Sequence, residues 1–125
     1  MILVFGGAYQ GKLDYVREHY GRDKTVFQCT DSTMAVDFSR DIINALHWLV
    51  LAQLRHGIDP GEDWAKNTAL WESKIIICDD ISCGIVPMDQ EMRLWRETTG
   101  RLLNDLARRS DEVIRVFCGL GTKLK

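Results

Sequence analysis

The chain has 125 residues, of which 46% are apolar and 27% are charged, and these values are typical of one globular domain. Sixteen Lys and Arg residues against 18 Asp and Glu residues give a net charge of −2, which argues against a protein that coats nucleic acid or an anionic membrane. No apolar run approaches the roughly 20 residues needed to cross a bilayer, and the first residues lack the features of a signal peptide. We therefore expect a single cytoplasmic domain over residues 1–125, with no nucleic-acid and no membrane partner.

Four short apolar runs, rich in Val, Ile or Phe, predict β-strands. They cover residues 2–5, 25–29, 75–78 and 113–118. Continuous rather than alternating apolarity, as in residues 2–5 and 75–78, is typical of strands that are covered on both faces. Because longer amphipathic stretches separate the runs, their order predicts an α/β fold with a mostly parallel central sheet of at least four strands.

The stretches between the strands predict helices. The expected helices cover residues 13–20 and 36–56, a short segment that follows the turn at 59–61 and runs through Trp71, and residues 89–109. Gly21 and Gly57 follow the first two stretches, as expected of glycines that end helices.

A glycine-rich turn follows the first strand at once and has the spacing G-x-x-x-x-G-K. This context is typical of a P-loop, because glycines let backbone N–H groups face phosphate oxygens and the next helix begins with a dipole that favours an anion. The candidate nucleotide-binding residues are Gly6, Gly7, Ala8, Tyr9, Gln10, Gly11, Lys12 and Leu13. We favour a three-layer, P-loop NTPase-like domain, and the alternative is a tight turn that binds no ligand.

The metal-binding part of this predicted site is incomplete. Leu13 stands where a P-loop has Ser or Thr, and a leucine side chain cannot coordinate Mg²⁺. Asp79 and Asp80 follow the third apolar run, and a carboxylate at the end of a strand beside a P-loop is suited to holding Mg²⁺. We therefore name Asp79 and Asp80 as candidate metal ligands, with a solvated turn as the alternative.

Motifs in the C-terminal half carry a family resemblance. They are Gly84-Ile85-Val86-Pro87, Trp95-Arg96-Glu97 with Gly100, Leu106-Ala107, Asp111-Glu112-Val113, and the Lys123-Leu124-Lys125 end that follows Gly119. Together with the glycine-rich turn, these motifs resemble the bifunctional adenosylcobinamide kinase / adenosylcobinamide-phosphate guanylyltransferase family of cobalamin biosynthesis. The resemblance covers roughly the first 20 and the last 50 residues of the chain.

The resemblance implies a kinase that phosphorylates a hydroxyl group of a corrinoid precursor with ATP or GTP. Lys12 and Asp80 would be catalytic, and Mg²⁺ would be a cofactor whose binding Leu13 weakens. No counterpart is found of the histidine that accepts GMP in this family, so we expect guanylyl transfer to be absent. The alternative is a degenerate, non-catalytic nucleotide-binding or regulatory relative, and a homo-oligomer is left open.

Two further features have competing interpretations. His47 lies within a predicted helix and outside its main apolar stripe, so we interpret it as a surface or helix-contact residue. The chain has four tryptophans, Trp48, Trp64, Trp71 and Trp95. Aromatic residues at helical spacing are usually part of a core, and we favour a core or subunit-interface role over a corrinoid- or partner-binding surface.

Overall fold

The computed structural model describes residues 1–81 and 89–125. Its strands are β1 (Ile2–Gly6), β2 (Val26–Gln28), β3 (Ile42–Asn44), β4 (Ile75–Asp79), β5 (Glu112–Phe117) and β6 (Leu120–Lys123). In the described residues they form one six-stranded sheet in the order β2-β3-β4-β1-β5-β6. β1 to β5 run parallel, and β6 pairs antiparallel with β5. The predicted α/β fold with a mostly parallel sheet is confirmed.

Helices cover both faces of the sheet and connect most of the parallel strands, whereas β2 and β3 are joined by a segment without a helix. The helices are α1 (Lys12–Tyr20), α2 (Leu46–Arg55), α3 (Pro60–Lys66), α4 (Thr68–Trp71) and α5 (Gln90–Arg109). α1 ends as predicted at Gly21, whose N–H group donates to the carbonyl of Arg17 at 3.2 Å. In the described part of the chain, no helix combines the length and apolar character that a bilayer crossing requires.

Two buried clusters show the three-layer arrangement. Alternate residues of each strand point to opposite faces, so adjacent residues of β1 separate into different clusters. Val4 packs with Val16 of α1 in one cluster, whereas Leu3 packs with Leu49 of α2 and Leu106 of α5 in the other. The predicted core role of three tryptophans is confirmed, since Trp64, Trp71 and Trp95 are buried in the second cluster.

The predicted helix over residues 36–56 is wrong in its first half. The structure has a strand, β3, at Ile42–Asn44, and α2 begins only at Leu46. Ala45 separates the two elements with a left-handed backbone (φ 60°). The apolar run continues from the strand into the helix, so its pattern does not mark the boundary.

β6 is not predicted from the sequence, because its four residues are all exposed and form no apolar run. The Gly84-Ile85-Val86-Pro87 motif lies outside the described residues.

The parallel arrangement brings the glycine-rich turn after β1 and the residues that follow β3 and β4 to one edge of the sheet. The carboxyl ends of β1, β3 and β4 lie side by side, and ligands of open α/β sheets bind at such edges. The glycine-rich turn leaves β1 at Gly6, where an added Cβ would overlap the carbonyl oxygen of Val116 in β5. Only a glycine therefore lets the turn begin so close to its neighbouring strand.

Candidate functional site

The backbone of the turn after β1 is left-handed at two residues. These are Gly11 (φ 82°) and Tyr9 (φ 59°). The loop between β5 and β6 supports the turn, because the N–H of Gly119 donates to the carbonyl of Gln10 at 2.8 Å. The side-chain Oε1 of Gln10 accepts from the N–H of Cys118 at 2.7 Å. The structure thus fixes the turn against the neighbouring hairpin.

Lys12 is the first residue of α1, and its side chain is only 7% exposed. Its ammonium nitrogen donates to the carbonyl of Gly7 at 2.7 Å, so the side chain folds back over the turn. The same nitrogen lies 2.6 Å from Oδ1 of Asp79 at the end of β4. A buried ammonium requires such a partner, because an unpaired buried charge is very costly.

A cavity of about 560 Å³ opens beside this ion pair. The predicted residues from Ala8 to Leu13 line it, together with Asp79. Asn44 and His47 come from β3 and α2 on the other side. The structure therefore brings most of the predicted loop and one of the two predicted aspartates to a single cavity.

Asp80 lies elsewhere. Its backbone N–H donates to the carbonyl of Gly6 at 2.8 Å, and it lines a separate cavity of about 310 Å³ with Leu103 and Asn104 of α5. Consecutive residues of a strand end face opposite sides of a sheet. The structure thus separates Asp79 from Asp80 and places only Asp79 next to Lys12.

His47 is buried, so the surface position in the sequence interpretation is wrong, whereas the helix contact that it gave as the other possibility is present through Trp95 of α5. His47 is the second residue of α2, is 4% exposed, and lies against Asp79 rather than on the surface. Its Nδ1 accepts a hydrogen bond from the N–H of Asp79 at 3.1 Å, and its Nε2 lies 3.4 Å from Oδ2 of the same residue. No sequence signal marks the turn at Ala45 that aims His47 at the cavity, because the residues on both sides of it are apolar and buried.

The charge state of His47 follows from its surroundings. Burial lowers the pKa of His47 below its usual value, the Asp79 carboxylate opposes this shift, and the Lys12 ammonium adds to it. The imidazole is therefore neutral at pH 7. Because Nδ1 accepts from a backbone N–H, the ring proton is on Nε2, which lies 3.4 Å from Oδ2 of Asp79.

Two stacked tryptophans hold the first turn of α2 in place. The indole N–H of Trp95 donates to the carbonyl of His47 at 2.6 Å. Trp48 stacks on Trp95 with ring centroids 5.1 Å apart, and it is 36% exposed at the cavity wall. The site therefore has a rigid aromatic side next to its charged residues.

The described residues do not complete a magnesium site. They include no group of three or more His, Cys, Asp or Glu side chains that could hold a metal ion. Leu13 follows Lys12 with no polar atom in its side chain, and Asp79 already pairs with Lys12. This donor set does not fit a magnesium ion held by the protein itself.

Comparison with known proteins gives a family. The family model described as cobinamide kinase / cobinamide phosphate guanyltransferase matches residues 59–124, which is more than half of the 125 residues. The match includes Asp79 and α5 and leaves out the glycine-rich turn. The comparison with curated proteins found no match.

Proposed function

Because the chain belongs to the cobinamide kinase / cobinamide phosphate guanyltransferase family, we propose that it binds ATP or GTP at residues 6–13 and phosphorylates a corrinoid. The acceptor would be a hydroxyl group of a precursor such as adenosylcobinamide in cobalamin biosynthesis. The observation that carries this proposal is Lys12, a buried cation at the start of α1 beside an open cavity.

The electrostatics of this position favour a polyanionic ligand. The N-terminus of a helix carries a partial positive charge, and Lys12 adds a full one. No side chain of the described residues caps α1 with a hydrogen bond, so its first N–H groups remain for phosphate oxygens. One carboxylate, that of Asp79, offsets the ammonium, and a triphosphate would supply further negative charge.

The proposed reaction is a phosphoryl transfer. The acceptor hydroxyl oxygen bonds to the γ-phosphorus while the bond from that phosphorus to the β,γ-bridging oxygen breaks. The nucleoside diphosphate leaves with the bond electrons, and the hydroxyl proton passes to water. Lys12 would neutralise the charge that develops on the bridging oxygen. We assign the supporting carboxylate to Asp79, because Asp80 lines the separate cavity.

We propose no guanylyl transfer, because the sequence has no counterpart of the histidine that accepts GMP in this family, and His47 is not placed to replace it. A histidine that accepts GMP must present a free ring nitrogen to phosphorus. His47 is buried, and both of its ring nitrogens face Asp79. This arrangement argues against His47 as a residue that accepts GMP.

A second candidate is a nucleotide-binding relative without catalysis. The observation that favours it is Leu13, which removes the hydroxyl ligand that P-loop enzymes use for Mg²⁺. Such a protein would bind the nucleotide phosphates through the turn and Lys12, and its binding would depend little on Mg²⁺.

The experiment that tests the proposal measures binding and product together. ATP and GTP are titrated calorimetrically into the protein with and without Mg²⁺, and each is then incubated with adenosylcobinamide while phosphorylated corrinoid is followed by mass spectrometry. We expect binding and product, with Lys12→Met reducing affinity about 10- to 100-fold, as for loss of a charged hydrogen bond.

Lys66→Met is the matched control, since Lys66 is exposed on α3. It should leave affinity and product formation unchanged. Binding without product would favour the non-catalytic relative. Absence of binding by either nucleotide would contradict both candidates.

A further inference from the structure

The contacts of His47 form a chain that ends at the ammonium of Lys12. The first link joins His47 to Asp79 at two points, the backbone N–H on Nδ1 at 3.1 Å and the carboxylate Oδ2 near Nε2 at 3.4 Å. The second link joins Oδ1 of Asp79 to Nζ of Lys12 at 2.6 Å. The two carboxylate oxygens thus have separate partners, one on α2 and one on α1.

The position of the imidazole is itself fixed. Ala45, with its left-handed backbone, turns the chain from β3 into α2 immediately before it. Trp95 holds the carbonyl of His47 through its indole N–H at 2.6 Å, and the His47 and Trp48 ring centroids are 5.2 Å apart. A ring that is held from its backbone and packed among aromatic rings can orient a neighbouring carboxylate.

The carboxylate needs this orientation because it borders the cavity. Asp79 is about one-quarter exposed, at 23%, whereas Lys12 and His47 are almost fully buried. A carboxylate that rotated away from Lys12 would place its charge in the space proposed for phosphates, where like charges repel. The contacts of Nε2 with one oxygen and of the ammonium with the other oppose that rotation.

We propose that His47 is a positioning residue, which holds the Asp79 carboxylate so that Lys12 is in place before the nucleotide binds. This inference deepens the proposed function and rests on it for its effect on affinity. The contacts among His47, Asp79 and Lys12 do not involve a ligand. The position of Lys12 in the ligand-free protein and the affinity for the nucleotide can therefore be tested separately.

Two conservative variants divide the contacts of the imidazole. In His47→Gln, the side-chain amide reaches the position of Nε2 and can still donate to the carboxylate. In His47→Asn, the shorter amide reaches only the position of Nδ1, where it can accept from the Asp79 N–H. Both are polar and smaller than the ring, so a general loosening of the site affects both.

The first readout uses the ligand-free protein. The Lys12 ammonium signal is measured by ¹H–¹⁵N NMR, since such signals persist only when the ammonium protons are held and protected from exchange, and Lys12→Met assigns it. We expect the signal in the wild type and in His47→Gln, and its loss in His47→Asn. At pH 8, the two-bond ¹H–¹⁵N spectrum of His47 should show the proton on Nε2.

The second readout is nucleotide affinity. We expect His47→Asn to weaken ATP or GTP binding about tenfold, as for one lost hydrogen bond to a charged group, and His47→Gln to stay within about threefold of the wild type. Retention of the Lys12 signal in His47→Asn, its equal loss in both variants, or a proton on Nδ1 would overturn the positioning role. Absence of nucleotide binding by the wild type would overturn the proposed function instead, while the NMR contrast would still decide the role of His47.

Discussion

The starts of α1 and α5 are built in opposite ways. α5 follows Asp89, whose Oδ1 accepts from the N–H groups of Glu91 at 2.7 Å and Met92 at 3.3 Å. α1 follows Gly11 in a left-handed conformation, and no side chain of the described residues caps it. Its first residue is a lysine, although cations are unfavourable at a helix N-terminus. The first N–H groups of α5 thus have an acceptor on the preceding residue. Those of α1 have no side-chain acceptor among the described residues.

The helix starts differ in the source of the negative charge that lies next to them. α3 is like α5, because Asp59 accepts from the N–H groups of Gly61 and Glu62. At α1 the carboxylate belongs to another element, since Asp79 reaches Lys12 from the end of β4. An aspartate on a strand can share the ammonium with a phosphate without disturbing the helix, whereas a capping aspartate that left its N–H groups would weaken the first turn.

The largest expected effect tests the close approach on which the start of α1 depends. We expect Gly6→Ala to lower the free energy of unfolding by about 3 kcal/mol, as for an overpacked core, because the new methyl group would overlap the carbonyl of Val116. Urea denaturation measures the change. Gly7→Ala is the control, since its Cβ would lie 3.6 Å from Cγ of Gln10, an ordinary contact. Equal effects of the two variants would contradict the close approach.

The next effect tests which helix start receives the ligand. Free ATP or GTP at 100 times its dissociation constant should stabilise the protein by about 2.7 kcal/mol. Hydrogen exchange should slow most at the first-turn amides of α1, because these would bind phosphate oxygens. The first turn of α5 should gain no protection beyond the global change. Stronger protection at α5 than at α1 would contradict the proposed phosphate site.

Much of the fold is predictable because its signals are local. A continuous apolar run followed by Gly6 and Gly7 predicts β1 and the turn, and Gly21 predicts the end of α1. The boundary between β3 and α2 is not predictable in the same way, since both elements are buried and apolar on either side of Ala45. β6 is missed for the opposite reason, because none of its side chains is buried.

The candidate site is predictable only in part, because its geometry depends on which side of the sheet a residue faces. The sequence brings Asp79 and Asp80 to the right edge, but one residue of difference sends them to two cavities. His47 is missed because its partners come from β4, which lies 32 residues away along the chain. Such a contact leaves no pattern within the helix itself.

A smaller effect is expected at the capped helix. We expect Asp89→Ala to cost about 1 kcal/mol of unfolding free energy, because two first-turn N–H groups of α5 lose their acceptor. Asp89→Asn should cost much less, since asparagine caps helices about as well. Urea denaturation measures both, and nucleotide affinity should be unchanged in each. Weaker nucleotide binding by Asp89→Ala alone would show that the two helix starts are not independent.

The smallest effect tests whether the open start of α1 lacks only a metal ligand. We expect Leu13→Ser to raise the ratio of nucleotide affinities with and without Mg²⁺ roughly threefold, because one added polar ligand contributes on the order of 0.5–1.5 kcal/mol. Leu13 is partly buried against the cluster beneath α1, so its loss also costs packing. Leu13→Ala is the matched control, since it removes the same packing without adding a hydroxyl. An equal Mg²⁺ dependence in the two variants would mean that residue 13 does not reach the metal, and the site would then bind phosphate through Lys12 and the backbone alone.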